Sequence, residues 1–335
     1  MKSYLGRRVK QDVVNTVGLV LLPAQSIIGS EELELLMMHR VDLFSIIFDV
    51  EAEATKVSCE TRMQQVVQHA KELFSAIEMT RKIPLLEIRE EVIPSVQQLS
   101  ENPNVFQLFE AVRAKDDYTH EHNIGVGVLA TLIGKWLNLS GRELTTLSLA
   151  ATLHDVGKVK IPVEILNKPG KLTKEEFEEM KRHSLYGYEM LKETVGVGPR
   201  VAVVALQHHE REDGRGYPYG LKKEKIDLFS KIVAVADIFH AMSSKRPYHE
   251  PMPFYEVIGE MRKGTFGELE PEIVSVFLDN ITRHLIGNQV VLSDGRQGEV
   301  VYINPHDEGS PLIKVEREFI DLSKDRHIHI QTIIA

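Results

Sequence analysis

Two adjacent pairs of metal-binding side chains, His154-Asp155 and His208-His209, each stand where an amphipathic helical pattern stops. Neighbouring imidazoles, or an imidazole beside a carboxylate, are difficult to bury as inert groups, because each needs its own polar partner. Helices that carry both pairs and an apolar face can converge in one bundle, with their ends around a polar interior. Further candidate ligands, His122, His183 and Asp237, fall on or at the ends of other predicted helices. Taken singly, a histidine of this kind has an ordinary explanation as a satisfied core residue or a surface group, and it is the adjacent pairs that shift the balance.

From 114 to 285 the pattern is almost wholly helical. Segments run from Tyr118 to Leu137, from Arg142 to Asp155, from Thr173 through Leu191 and from Pro199 to His209. Thr173 with Glu176 makes a capping box, Pro199 suits a first helical turn, and Gly157 suits a C-terminal stop. The stretch 230–244, SKIVAVADIFHAMSS, is apolar nearly all round and reads as a buried central helix, although periodicity alone leaves a strand open. Upstream, Met63, Val66, Val67, Ala70, Leu73, Phe74 and Ile77 recur at three- and four-residue steps, and a second helical pattern follows Pro84. Such a stripe serves either as a connector packing on its neighbours or as a dimerisation face.

The ends of the chain differ. DVVNTVGLVLLPA (12–24) and VDLFSIIFDV (41–50) read as strands, and Ser30 before EELELLMMHR as a helix N-cap. After Gly287, short alternating runs broken by Asp294-Gly295 and Pro311 suggest a small β-barrel-like module. The expected architecture is mainly α: an α+β module at 1–52, a helical connector at 53–100, an all-helical bundle at 101–285 and the β module at 286–335.

Charge and composition narrow the function. A formal net charge of −9 argues against duplex nucleic acid as a partner, though not against a small anionic substrate. No apolar run is long enough to cross a bilayer, no signal peptide opens the chain, and the lone cysteine, Cys59, excludes cysteine-rich zinc sites. The expectation is a cytoplasmic protein. Imidazole and carboxylate without thiolate suit iron, manganese, zinc or nickel, and a carboxylate can bridge two metals, an arrangement that fits phosphoester hydrolysis. Lys158, three residues after Asp155, could reach a phosphate oxygen or assist a departing alkoxide, yet on this spacing alone a solvated lysine at a helix C-terminus is the stronger reading. Gly214, Gly216 and Pro218 make 213–218 an ordered turn, either a wall of the metal cavity carrying an exposed Tyr217 or a plain surface loop.

Together KDDYTHEH (115–122), LHDVGKVKIP (153–162), ILNKPGKLTKEEF (165–177), KRHSLYGYEML (181–191), HHEREDGRGYP (208–218) and VADIFHAMSSKRPY (235–248) resemble the HD-GYP branch of the HD metal-dependent phosphohydrolases. The resemblance covers about residues 100–285 and implies hydrolysis of cyclic di-GMP to pGpG, and on to GMP, by a hydroxide bridging two divalent metals, iron or manganese before zinc or nickel. It implies His122, His154, Asp155 and Asp237 around one metal, Asp155 bridging to a second held by His183, His208 and His209, and Lys158 as catalytic lysine. Gly216, Tyr217 and Pro218 match the signature loop; Asp213 and Arg246 are further candidate substrate contacts. Tyr118 stands where some members carry a glutamate and are read as holding three metals, so two are expected here; His240 replaces a second aspartate, and His249 a basic residue. Candidate partners are a second copy of the chain and a GGDEF-type signalling protein. The rival readings are a catalytically weak or inactive nucleotide-binding sensor, a hydrolase of another cyclic dinucleotide or phosphoester, and a purely structural helical protein.

Overall fold

The computed structural model describes residues 9, 13–14, 20–23, 26, 28–39, 41, 58–113, 118–244, 252, 254–264, 267–304, 307–325 and 327–334. Residues 1–57 and 58–335 form two compact units. In the first, strands β1 (Val13–Val14) and β2 (Val20–Leu22) pair antiparallel ahead of helix α1 (Ser30–Met38). Ser30 is the first helical residue rather than the cap. Gly29 takes that place, its N–H donating to Glu32 Oε2 at 3.0 Å while its carbonyl accepts from Leu33. The strand expected over 41–50 lies outside the described residues from 42 onward.

The second unit opens with α2 (Cys59–Thr80), capped by Ser58, whose Oγ accepts the Thr61 N–H at 3.0 Å. There follow α3 (Leu85–Glu87), a π turn (Ile88–Val92), α4 (Ile93–Leu99), α5 (Val105–Val112) and α6 (Tyr118–Trp136). The apolar stripe of α2 faces α4, α5 and α6, with Met63, Val66, Ala70, Phe74 and Ile77 buried and Val67 and Leu73 at the margin. It therefore serves the interior of its own unit.

Helix α7 (Gly141–Thr152) starts from a Ser140–Glu143 capping box and stops at Thr152, short of the expected Asp155. His154 and Asp155 thus lie in the turn that enters a 3-10 helix (Val156–Lys160). Gly157 is inside that 3-10 helix instead of ending α7. A Cβ there would lie 2.0 Å from the His183 carbonyl oxygen, so this close crossing requires glycine. After α8 (Val163–Leu166), the single helix expected from Thr173 to Leu191 is broken at Arg182 into α9 (Lys174–Lys181), which carries the Thr173–Glu176 capping box, and α10 (His183–Glu193). Helix α11 (Pro199–Gln207) has its proline in the first turn.

Residues 228–243 form a helix, α12 (Leu228–Ser243); 16 residues exceed the usual strand length, and Asp227 caps it by accepting the Phe229 N–H at 2.8 Å. It packs on α6, α7 and α11, and on α13 (Phe254–Gly264) and α14 (Pro271–Leu285). Phe239 anchors it, its ring 5.0 Å from Phe109 and 4.9 Å from Phe277, with each such aromatic pair contributing about 0.5–1.5 kcal/mol beyond burial. No helix among the described residues is long and apolar enough to cross a membrane.

Strands β3 (Gln289–Leu292), β4 (Gln297–Asn304), β5 (Asp307–Val315), β6 (Glu318–Asp321) and β7 (Ile330–Ile334) make an antiparallel sheet in the order β6-β5-β4-β3-β7. This corrects the barrel-like expectation: β6 and β7 are edges, and the sheet stays open among the described residues. Its inner face needs no closure, because α13 and α14 cover it and Val290, Leu292, Val300, Ile313 and Ile330 join the same hydrophobic cluster as the bundle.

Candidate metal centre

The expected ligands converge in two adjoining groups, Asp155 with His183, His208 and His209, and His122 with His154 and Asp237; within each, one donor atom per residue lies within 4.8 Å of the others. Asp155 faces both. Its Oδ1 is 3.3 Å from His183 Nε2 and 3.6 Å from His208 Nε2, while its Oδ2 is 3.4 Å from His154 Nε2 and 3.5 Å from His122 Nε2. Asp237, in the middle of α12, places Oδ1 3.2 Å from His122 Nε2.

Helix ends explain the ring orientations. The last carbonyls of a helix have no intrahelical partner. His154 Nδ1 lies 2.6 Å from Ala151 O at the end of α7, His183 Nδ1 2.7 Å from Met180 O at the end of α9, and His208 Nδ1 2.9 Å from Ala205 O at the end of α11. A carbonyl can only accept, so in each ring Nδ1 carries a proton, and in His183 and His208, which burial keeps neutral, Nε2 presents a lone pair to the centre. Those lone pairs meet carboxylate oxygens, acceptor against acceptor. Asp155 Oδ1 and His154 Nε2 are buried and make no hydrogen bond. This donor set fits divalent cations: nitrogen and oxygen ligands, deprotonated, oriented from behind and lacking only positive charge.

The electrostatics agree. Burial pushes Asp155 upward, but the charges of Lys158 and His154 outweigh it and hold the carboxyl well below the usual range. At Asp237 burial is likewise outweighed by the neighbouring imidazoles, His122 first among them, and the carboxyl is held well below the usual range. Burial lowers His122 and His208, and drives His183 down to about 3 against the pull of Asp155. Lys158, in the 3-10 helix, is partly exposed and puts Nζ 2.5 Å from Asp155 Oδ2.

The loop after His209 forms one wall. The Tyr217 ring lies 4.5 Å from that of His209 at 31°, so it is half-buried, not exposed as expected, and Tyr219 is the tyrosine that faces outward. Burial, reinforced by the Asp155 and Asp237 charges, raises the Tyr217 hydroxyl and keeps it protonated. The Tyr217–Pro218 peptide is cis, and a Cβ on Gly216 would come within 2.4 Å of the Arg211 nitrogen and the His209 oxygen. Asp213 Oδ1 accepts the Arg215 N–H at 2.9 Å, which shapes the turn. Sequence reasoning overlooked Glu210. Buried at 2% exposure, its carboxylate accepts the N–H groups of Tyr219 at 2.9 Å and Leu221 at 2.8 Å, closing the loop on itself. Arg246, His249 and the side chain of Tyr118 lie outside the described residues.

Residues 107–272 match the HD domain family. The cyclic di-GMP phosphodiesterase PA4108 of Pseudomonas aeruginosa is 36% identical over 214 residues, covering 64% of this chain and 51% of that protein. A cyclic di-GMP phosphodiesterase of Thermotoga maritima is 42% identical over 179 residues, 52% of this chain and 49% of that protein. The chain thus spans about half the length of these curated relatives. Among solved structures, the HDG"Y"P protein Bd1817 of Bdellovibrio bacteriovorus shares the fold, with a TM-score of 0.56 at 15% identity over 84% of this chain and 97% of that one.

Proposed function

We propose, from the match of residues 107–272 to the HD domain family, that the chain is a metal-dependent phosphodiesterase that opens cyclic di-GMP to linear pGpG, and to GMP on a second cut. The observation that carries this reading is the single carboxylate of Asp155 turned toward two histidine groups at once. Asp155, His183, His208 and His209 would hold one divalent ion, and His122, His154, Asp155 and Asp237 the other, with iron or manganese first among the metals these donors suit. When bound, such a pair supplies positive charge to phosphate oxygens and lowers the pKa of water.

The chain's own groups do the rest. Water adds across one P–O3′ bond: its oxygen stays on phosphorus, and one of its protons ends on the released 3′ oxygen. Lys158, beside Asp155 and partly open to solvent, offers N–H groups to a non-bridging phosphate oxygen or to that departing oxygen. The protonated Tyr217 hydroxyl would serve the substrate as a hydrogen-bond donor and not as a base. Gly216 and Pro218 hold that ring in place, and Asp213 and Arg246 are proposed as nucleotide contacts on the resemblance of their motifs. This reading puts the protein in the cytoplasm, with a second copy or a GGDEF-type protein as candidate partners.

The test is turnover by protein purified anaerobically and loaded with Mn²⁺ or Fe²⁺, with products separated by chromatography. Appearance of pGpG is expected. Tight cyclic di-GMP binding without turnover in metal-replete protein would favour the sensor reading instead, and a larger kcat/KM for the mixed cyclic GMP-AMP would reassign the substrate.

A further inference from the structure

We propose that His240 is the positioning residue that makes His122 a metal donor, and that Gly125 provides the space in which it does so. The inference rests on the metal-centre reading above and deepens it. His154, His183 and His208 take their orientation from carbonyls at helix ends. His122 lies inside α6, away from any helix C-terminus, and has to be oriented differently.

Its Nδ1 faces His240 Nδ1 at 3.1 Å, with the ring centroids 5.0 Å apart. On the other edge of the second ring, His240 Nε2 lies 2.7 Å from Val112 O. The carbonyl can only accept, so His240 Nε2 carries its proton, and a neutral ring then leaves Nδ1 as a lone pair. Between the two facing nitrogens the donor must be His122 Nδ1. That assignment strips His122 Nε2 of its proton and turns a lone pair toward Asp237 Oδ1 at 3.2 Å and Asp155 Oδ2 at 3.5 Å. Ser244 Oγ, 3.4 Å from His240 Nδ1, fits the same assignment by donating. The reverse assignment would bury a doubly protonated His240 at 0% exposure.

A second observation is independent of hydrogen placement. A Cβ on Gly125 would stand 2.2 Å from His240 Nε2 and 3.0 Å from Val112 O. Glycine inside a helix costs about 1 kcal/mol relative to alanine. Here it opens the slot through which the His240 ring reaches the carbonyl. Val112 O, a neutral acceptor, holds that edge of the His240 ring in place.

The test titrates Mn²⁺ into metal-free wild type, His240→Leu, His240→Gln and Gly125→Ala, followed by electron paramagnetic resonance, and records the ¹⁵N shifts of the imidazoles in metal-free wild type. Wild type should bind two ions, and His122 should be protonated at Nδ1. His240→Leu and Gly125→Ala should each weaken one of the two ions by roughly 10–100-fold. His240→Gln, whose amide can accept from His122 and donate to Val112, should recover most of that loss. The relay is overturned if His240→Leu binds both ions as tightly as wild type, if the Leu and Gln variants lose equally, or if His122 carries its proton on Nε2. Should the Leu variant fail to fold, Gly125→Ala and the wild-type tautomer still decide. A wild type that takes up no Mn²⁺ would sink the metal centre itself, and the tautomer would judge the relay separately.

Discussion

The Lys158 ammonium lies 2.5 Å from Asp155 Oδ2, the oxygen that also faces His122 and His154. One monovalent cation therefore sits where the carboxylate shared by both groups would meet a divalent one. An ion entering on that side competes with the ammonium and frees it toward the cavity. Lys158→Met should leave Mn²⁺ affinity equal or tighter while cutting turnover about 10²-fold, the scale of losing one donor to a developing charge. Turnover matching wild type would remove Lys158 from the reaction.

Asp155→Asn keeps the shape of the side chain and discards its charge. Because both oxygens of Asp155 face imidazole lone pairs, the variant should lose at least one Mn²⁺ per chain by elemental analysis, and hydrolysis should fall by about 10³-fold or more. A variant that retained full metal content would show that Asp155 does not join the two groups.

Acid should destabilise the metal-free protein well before its ordinary carboxylates titrate. Burial lowers His183 from 6.5 to about 3 and lowers His122 and His208 as well. For these groups the unfolded chain takes the proton first, so their contribution is complete above pH 6.5 and is lost as pH falls from there toward the folded value. Asp155 and Asp237, depressed in the fold, add loss in the same direction at lower pH. His154 opposes them, since burial there is outweighed by the Asp155 charge and the ring is raised, but it stands against four lowered rings, His209 being the fourth. Urea midpoints measured at about pH 7, 5.5 and 4 should fall in that order. A midpoint that rose on acidification would contradict neutral buried imidazoles.

Glu210→Ala should loosen the loop that carries Tyr217. Two backbone N–H groups, of Tyr219 and Leu221, lose their acceptor, at a cost of about 1–3 kcal/mol. KM for cyclic di-GMP should rise more than kcat falls, because the ligands themselves stay in place. An unchanged KM would separate the loop from substrate binding.

Much of this architecture is legible in the sequence because helix punctuation is local chemistry: the Thr173–Glu176 box and Pro199 mark real starts, and the pairs His154-Asp155 and His208-His209 follow real ends. The break at Arg182 is not, since periodicity runs through it, and its purpose, freeing the Met180 carbonyl for His183, depends on what the ring must face. Glu210 reads as one more surface charge beside Arg211 and Glu212; its burial follows from the chain's return at Tyr219 and Leu221. His240 is visible as a departure from the family pattern, but its effect needs Val112, which arrives from a distant helix. The open sheet is missed because alternation specifies an apolar face without saying what covers it.

The dependence of three imidazoles on truncated helices limits how this centre can be moved. A protein engineer who copied these side chains onto uninterrupted helices of another scaffold would reproduce their spacing and still obtain rings free to spin, since every carbonyl behind them would already be spoken for. What has to be transplanted is the set of terminations, at Thr152, Lys181 and Gln207, with the side chains following from them.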